Sequence, residues 1–347
     1  MTVRSRARGP EALTWPATTA TVYAAAFFLV YYVSVRTVRG RLVSDASLRG
    51  AISSGASVQD TVEAILDVVS VGSLLGAVAV VAVIALLRLD RVRGLASIAV
   101  LVTANVSTWL LKEHLIAMPD LGLDEVAPAT LNSLPSGHTT AAFSAVAALL
   151  IVLPAAVRVP AALLGGSFAT LTALATMFAG WHRAADAMAA FLVVGVCTMV
   201  AISFVVVLDS PPPHASVVVR LRWWVALCVG AMALGIVVSV GLSALAPIRD
   251  TLPGSLLAFL SGGLLIVGTV LGVLVGMLRV LEVTEAEVAR DDGTTRRRSD
   301  AELRAGVWLR NRDLQPANRF NESELHAYGC DRRPRTRRRR AVTQPLL

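Results

Sequence analysis

Eight stretches of almost unbroken apolar residues, at 17–35, 68–87, 95–111, 138–153, 161–180, 187–208, 224–246 and 255–278, alternate with shorter polar segments. Each is close to the ~20 residues that a helix needs to cross the hydrocarbon of a bilayer, so the pattern predicts an all-α, polytopic membrane bundle. Strands are a poor alternative as the spanning element, because the runs lack the in/out alternation of a barrel wall. The fourth stretch is short and opens on Pro135-Ser136-Gly137-His138, which puts its first turn at the membrane interface. The first stretch is longer than a leader's apolar region and is followed by no small-residue cleavage site, so it is read as a retained span.

Composition agrees with this solvent. Apolar residues make up 55% of the chain and charged residues 16%, with a mean hydropathy of +0.66, whereas water-soluble domains carry roughly 25% charge. Arginines set the orientation. Arg4, Arg6 and Arg8, then Arg88, Arg91 and Arg93, then Arg220 and Arg222, and finally the C-terminal arginines fall on one side of an eight-span arrangement. The positive-inside rule makes that side cytoplasmic. Arg36, Arg39, Arg41 and Arg49 in the first loop count against it, and their acidic neighbours Asp45, Asp60, Glu63 and Asp67 carry little weight in the rule. The resulting expectation is a multi-pass protein of the cell membrane with both termini cytoplasmic.

The chain divides into four parts: a cytoplasmic segment 1–16, a six-span core 17–208, two further spans within 209–280, and a charged tail 281–347. The tail carries Arg296-Arg297-Arg298 and a second basic block at 332–340. It is expected to be a largely disordered cytoplasmic segment, with attraction to anionic lipid headgroups as a second role. No aromatic interleaving or binding module supports a nucleic-acid partner. Cys197 and Cys228 lie in apolar spans and Cys330 in the tail, without metal-like spacing. The glycines of Gly72-x3-Gly76 and Gly268-x3-Gly272-x3-Gly276 are read as close-packing positions between helices.

The candidate chemistry lies at the ends of the spans. A helix starting after Pro135-Ser136-Gly137 offers free backbone N–H groups and the positive end of its dipole, an anion site suited to phosphate. Ser136 adds a hydroxyl donor and Gly137 permits close approach. His182 and Asp186 stand four apart, so on a helix they share a face, and the carboxylate can hold one ring nitrogen while the other acts as nucleophile. His138, just past the anion-binding turn, is placed to protonate a leaving alkoxide. Lys112 is the only lysine among 32 basic Lys and Arg residues. It is a point-charge partner for a phosphoryl oxygen, or an interfacial residue beside Glu113.

In order and spacing, Lys112, the Pro135-Ser136-Gly137-His138 block and the His182-x3-Asp186 block resemble the type-2 phosphatidic acid phosphatase family. The resemblance covers the six spans from 17 to 208, so the last two spans and the tail lie outside it. It implies a six-helix phosphatase core that needs no metal or cofactor and acts on lipid phosphates or diphosphates through a phosphohistidine intermediate. It also implies His182 as nucleophile, Asp186 as its partner, His138 as general acid, and Lys112, Ser136 and Gly137 as the phosphate cradle. Two positions depart from the family pattern. Met118 and Thr176 stand where the family carries arginine, and a lost pre-organised charge of this kind costs on the order of 10²–10³ in rate. Arg183, next to His182, is the candidate replacement cation, although neighbours on a helix diverge by about 100°. The gap further predicts that arginine introduced at Met118 would raise turnover.

Other readings stay open. A catalytically weak or inactive phosphatase-like scaffold, or a protein that binds lipid headgroups, fits the same residues. A transporter would be expected to show polar or glycine-broken positions in paired repeats, which the sequence lacks. A metal site would have to draw on His114, His138, His182 and Asp186. His214, in the Pro211-Pro212-Pro213 linker, is expected on the opposite side.

Overall fold

The computed structural model describes residues 11–55, 59–68, 71–87, 90–123, 132–208 and 222–313. Every regular element among them is helical. The helices are α1 (Glu11–Tyr31), α2 (Val38–Gly55), α3 (Gln59–Val68), α4 (Val71–Leu87), α5 (Arg91–Leu110), α6 (Gly137–Val152), α7 (Ala155–Phe178), α8 (Ala184–Leu208), α9 (Arg222–Ala244), α10 (Ala246–Arg249) and α11 (Leu252–Asp313). Short π-helical turns at Tyr32–Arg36 and Leu111–Leu115 extend α1 and α5. Six helical segments are long and apolar enough to cross a membrane; Leu75–Leu87 and Gly137–Val152 are apolar but shorter.

The centre of the bundle is α8, apolar on every side of its axis and therefore stable only when surrounded. It packs against α1, α5 and α6, and its residues from Ala184 to Gly195 are buried almost without a break. Phe191 meets Phe143 of α6 edge to face, with ring centroids 4.9 Å apart. Polar side chains tie α5 to α6 inside the apolar layer. Thr108 and Thr140 share a hydroxyl bond of 2.9 Å, Ser97 donates to the Ala148 carbonyl, and Asn105 donates to Ser144. The glycine stripe of α11 receives its neighbours: Gly268 faces Met232, Gly272 faces Cys228 and Gly276 faces the Tyr23 hydroxyl.

Two sequence expectations change. The first loop, read as a connection, contains α2 and α3. Thr37 caps α2 by accepting from the Gly40 N–H at 3.1 Å, a bond worth roughly 1 kcal/mol at a helix start. Here α1 and α2 turn so tightly that a Cβ on Gly40 would stand 1.9 Å from the Val33 carbonyl oxygen. The second change is at 280, where the sequence suggests a boundary but α11 runs on to Asp313. Around this point Arg279 and Glu282, three apart on the helix, pair at 3.0 Å. The chain forms two compact units, Met1–Asp292 and Gly293–Leu347. Cys330, His214 and the basic block at 332–340 lie outside the described residues.

Candidate functional site

The end of α5, the start of α6 and the α7–α8 junction come together at one end of the bundle. Helix α7 ends in a Schellman turn. Gly180 adopts φ +76°, a left-handed conformation that favours glycine. Its N–H bonds the Met177 carbonyl, while the Trp181 N–H reaches back to Thr176 at 3.0 Å. The His182 N–H bonds the same Thr176 carbonyl at 3.2 Å. Thr176 itself is buried, its hydroxyl donating to Ala173, so this position anchors the turn through its backbone.

His182 and Arg183 consequently precede α8 and are not part of it, contrary to the expectation of a shared helical face. The pairing arises by another route. Asp186, in the first turn of α8, reaches back to accept the Arg183 N–H at 2.9 Å, as the acid of a capping box does. The same oxygen lies 3.2 Å from His182 Nδ1. All three residues are buried. This geometry fixes the His182 ring, and its Nε2 makes no hydrogen bond among the described residues. A negative side chain in the first turn of α8 also matches the helix dipole.

The start of α6 is built on Ser136. Fully buried, its hydroxyl accepts from the Thr139 N–H at 3.4 Å and from the Thr139 hydroxyl at 3.0 Å. Its backbone N–H bonds the Asp186 carbonyl at 3.0 Å, which joins the two motifs directly. Ser136 thus holds the turn in place. Gly137 is exposed, and a Cβ there would meet nothing within 4 Å. The glycine therefore keeps open the space in front of the helix N-terminus. His138 stands 5.6 Å from the half-exposed Trp181 ring, close enough to interact electrostatically with both His182 and Lys112.

Lys112 sits in the π-helical turn after α5 and makes no ion pair among the described residues. Asn132 fastens that turn by donating to the Lys112 and Ile116 carbonyls. His114 is exposed and packs edge to face on Trp109. No group of three His, Cys, Asp or Glu among the described residues is arranged to hold a metal ion.

Three further residues complete the cluster. Arg183 donates from Nε to Asp45 of α2 at 2.6 Å and from a terminal nitrogen to Ser133 at 3.5 Å. Ser133 also hydrogen-bonds Asp186. Arg41, one turn before Asp45, donates from Nε to the other Asp45 oxygen at 3.3 Å. Burial, together with the adjacent Arg183 charge, pushes the Arg41 guanidinium below its ordinary value. Because Arg183 lies outside the helix, helical phase with His182 places no limit on it. Sequence reasoning treated the first loop as an orientation signal; the i, i+4 spacing of Arg41 and Asp45 was the available clue to a paired helix face.

No curated protein and no solved structure matches the chain. Residues 95–209, the segment that holds Lys112, Met118, the Ser136 turn, His182 and Asp186, match the PAP2 superfamily model, whose members are phosphatases, so that this segment is similar to the type-2 phosphatidic acid phosphatases.

Proposed function

We propose that this protein is a membrane phosphatase that hydrolyses lipid phosphates or diphosphates at the outer face of the cell membrane. The observation that carries this reading is the His182 ring, held at Nδ1 by Asp186 and unoccupied at Nε2, beside His138 and the open N-terminus of α6. In the first step His182 Nε2 attacks the terminal phosphorus, and the bond from that phosphorus to the leaving oxygen breaks, an oxygen that belongs to the lipid alcohol in a monophosphate and to the lipid monophosphate in a diphosphate. His138 donates its proton to that oxygen. Asp186 stabilises the imidazolium that forms as the phosphoryl group is transferred. In the second step water attacks the phosphohistidine, His138 takes a proton from the water, and inorganic phosphate leaves with His182 restored.

The charge that gathers on the phosphoryl oxygens is met by Lys112, Arg183 and the backbone N–H groups at Gly137 and His138. These groups supply the electrostatics without a divalent ion, so turnover is expected to survive chelation. The test is phosphate release from a panel of phosphatidic acid, isoprenyl diphosphates and related lipid phosphates by the purified full chain, with and without a chelator. The reading predicts turnover in both conditions and none from His182→Ala. Loss with chelator and rescue by zinc or magnesium would replace it with a metal-dependent reaction. No release from any lipid phosphate would favour a silent scaffold.

A further inference from the structure

We propose that Arg41, brought in on α2 from outside the matched segment, supplies the phosphate-contacting charge that is missing at Met118. The inference rests on the phosphatase reading above and names a further residue of the same site. Its central observation is a contact: an Arg41 terminal nitrogen lies 2.8 Å from the Met118 sulfur. A guanidinium from a different element thus stands at the position where the resemblance leads one to expect an arginine side chain. Arg41 lies before residue 95, where the match to the superfamily begins.

The partners of Arg41 show what it lacks. A thioether is a weak acceptor, and the other terminal nitrogen makes no hydrogen bond among the described residues. Its one strong partner, Asp45, is shared with Arg183 at the shorter distance of 2.6 Å. Asp186, the other carboxylate nearby, is committed to His182, to the Arg183 backbone and to Ser133. Buried charge is tolerated when paired and hydrogen-bonded. Arg41 is buried with half a carboxylate and a sulfur atom, and Lys112 adds another cation to the same end. An anion with several oxygens corrects that imbalance, and the phosphoryl group on its way to His182 is such an anion.

The methionine has a role in this arrangement. Its unbranched, polarizable side chain fills the space of the absent arginine and accepts the edge of the imported guanidinium. Asp45 orders both arginines at once, so Arg41 and Arg183 approach the phosphoryl group as a fixed pair. An arginine fork offers two parallel donors to phosphate, which a lysine ammonium does not.

The experiment measures the inhibition constant of inorganic phosphate, and its direct binding by calorimetry, for the full chain, Arg41→Ala, Arg41→Lys, the double variant Arg41→Ala/Met118→Arg and the exposed control Arg36→Ala. A lipid phosphate is titrated in parallel, so that headgroup and tail contributions separate. Arg41→Ala is expected to weaken inorganic phosphate by about 10–100-fold and to lower kcat/KM by on the order of 10²-fold. Arg41→Lys should recover part of each, and the double variant should recover most, because it returns a guanidinium to the same place from α5's end. A purely structural Arg41 would not be rescued by Met118→Arg. Phosphate affinity within twofold of wild type in a folded Arg41→Ala protein overturns the proposal even if hydrolysis is present. Wild type that binds phosphate through Arg41 but releases none from lipids would sink the hydrolase reading and leave the proposal standing. Wild type that binds no phosphate overturns both.

Discussion

At one end of the bundle Glu285 lies between two buried arginines. It accepts from Arg93 at 2.7 Å and from both terminal nitrogens of Arg158 at 2.9 and 2.8 Å. Asp90 adds a second acid, 3.2 Å from Arg93 Nε, and the Arg158 Nε donates to the Leu153 carbonyl. At the other end two buried arginines, Arg41 and Arg183, share one carboxylate, Asp45, and a terminal nitrogen of Arg41 meets only a thioether. The first cluster matches its charges with bidentate geometry and joins α5, α7 and α11. In the second, Arg41 shares its carboxylate with Arg183 and meets a thioether, beside a histidine oriented by Asp186. On the proposal above, completed charge fastens helices, whereas the incomplete pairing of Arg41, at the same depth of burial, prepares a place for an anion.

The comparison breaks most sharply at His182. Replacing it with alanine is expected to remove turnover by on the order of 10⁴-fold or more, as loss of a nucleophile does, while leaving phosphate binding largely in place. Calorimetry on His182→Ala beside an activity assay checks both halves. The matching substitution at the other end is Glu285→Gln, which leaves two guanidiniums without their shared acid. Removing one partner of a buried pair costs about 3–5 kcal/mol, so the melting temperature should fall steeply while the affinity of the remaining folded protein for inorganic phosphate stays near wild type. A Glu285→Gln protein that lost phosphate affinity without losing stability would erase the distinction between the two ends.

A milder test concerns Met118. From sequence alone, arginine at Met118 is expected to improve the enzyme. On the Arg41 proposal that expectation reverses, since an Arg41 nitrogen already lies 2.8 Å from the sulfur and a second guanidinium there meets like charge. Met118→Arg alone should therefore leave turnover unchanged or reduce it by about tenfold, some 1.4 kcal/mol, and should be beneficial only together with Arg41→Ala. A clear gain from the single variant would mean that Arg41 does not occupy the vacant role.

The smallest effects come from two glycines. Gly180→Ala forces a β-carbon into φ +76°, at a cost of about 1–2 kcal/mol, and should lower both stability and kcat by loosening the turn that carries His182. Gly137→Ala meets no protein atom within 4 Å and puts a better helix former at the start of α6. Its melting temperature should hold or rise slightly while phosphate affinity falls by about tenfold. Equal losses in both would place Gly137 in the fold and not in the phosphate's path.

Much of this arrangement was legible in the sequence. The apolar runs marked the bundle because a membrane helix must be long and apolar over its whole length, and Lys112, His138, His182 and Asp186 stood out because polar residues at span ends are few. Three features were not legible, for physical reasons. The helicity of α2 was hidden by its mixed polarity, and whether Arg41 and Asp45 face solvent or a site is decided by how α2 packs on α7 and α8. The departure of His182 from helical geometry depends on Gly180, whose left-handed backbone ends α7 in time for Arg183 to cap α8. Ser136 reads as a ligand donor by residue type, and the sequence does not show that its hydroxyl also accepts from Thr139 as the cap that positions Gly137 and His138.

The central claim is that the end of the bundle holding Arg41 and Arg183 delivers a phosphoryl group to His182. It is tested most directly by mixing the full chain with a lipid phosphate labelled at phosphorus, quenching within a turnover in base, where phosphohistidine persists, and mapping the label by peptide mass spectrometry. The account predicts label on His182 that is acid-labile, absent from His182→Ala, and much reduced in Arg41→Ala. Steady hydrolysis with no label on His182 at any quench time, or label that persists in His182→Ala, would contradict it.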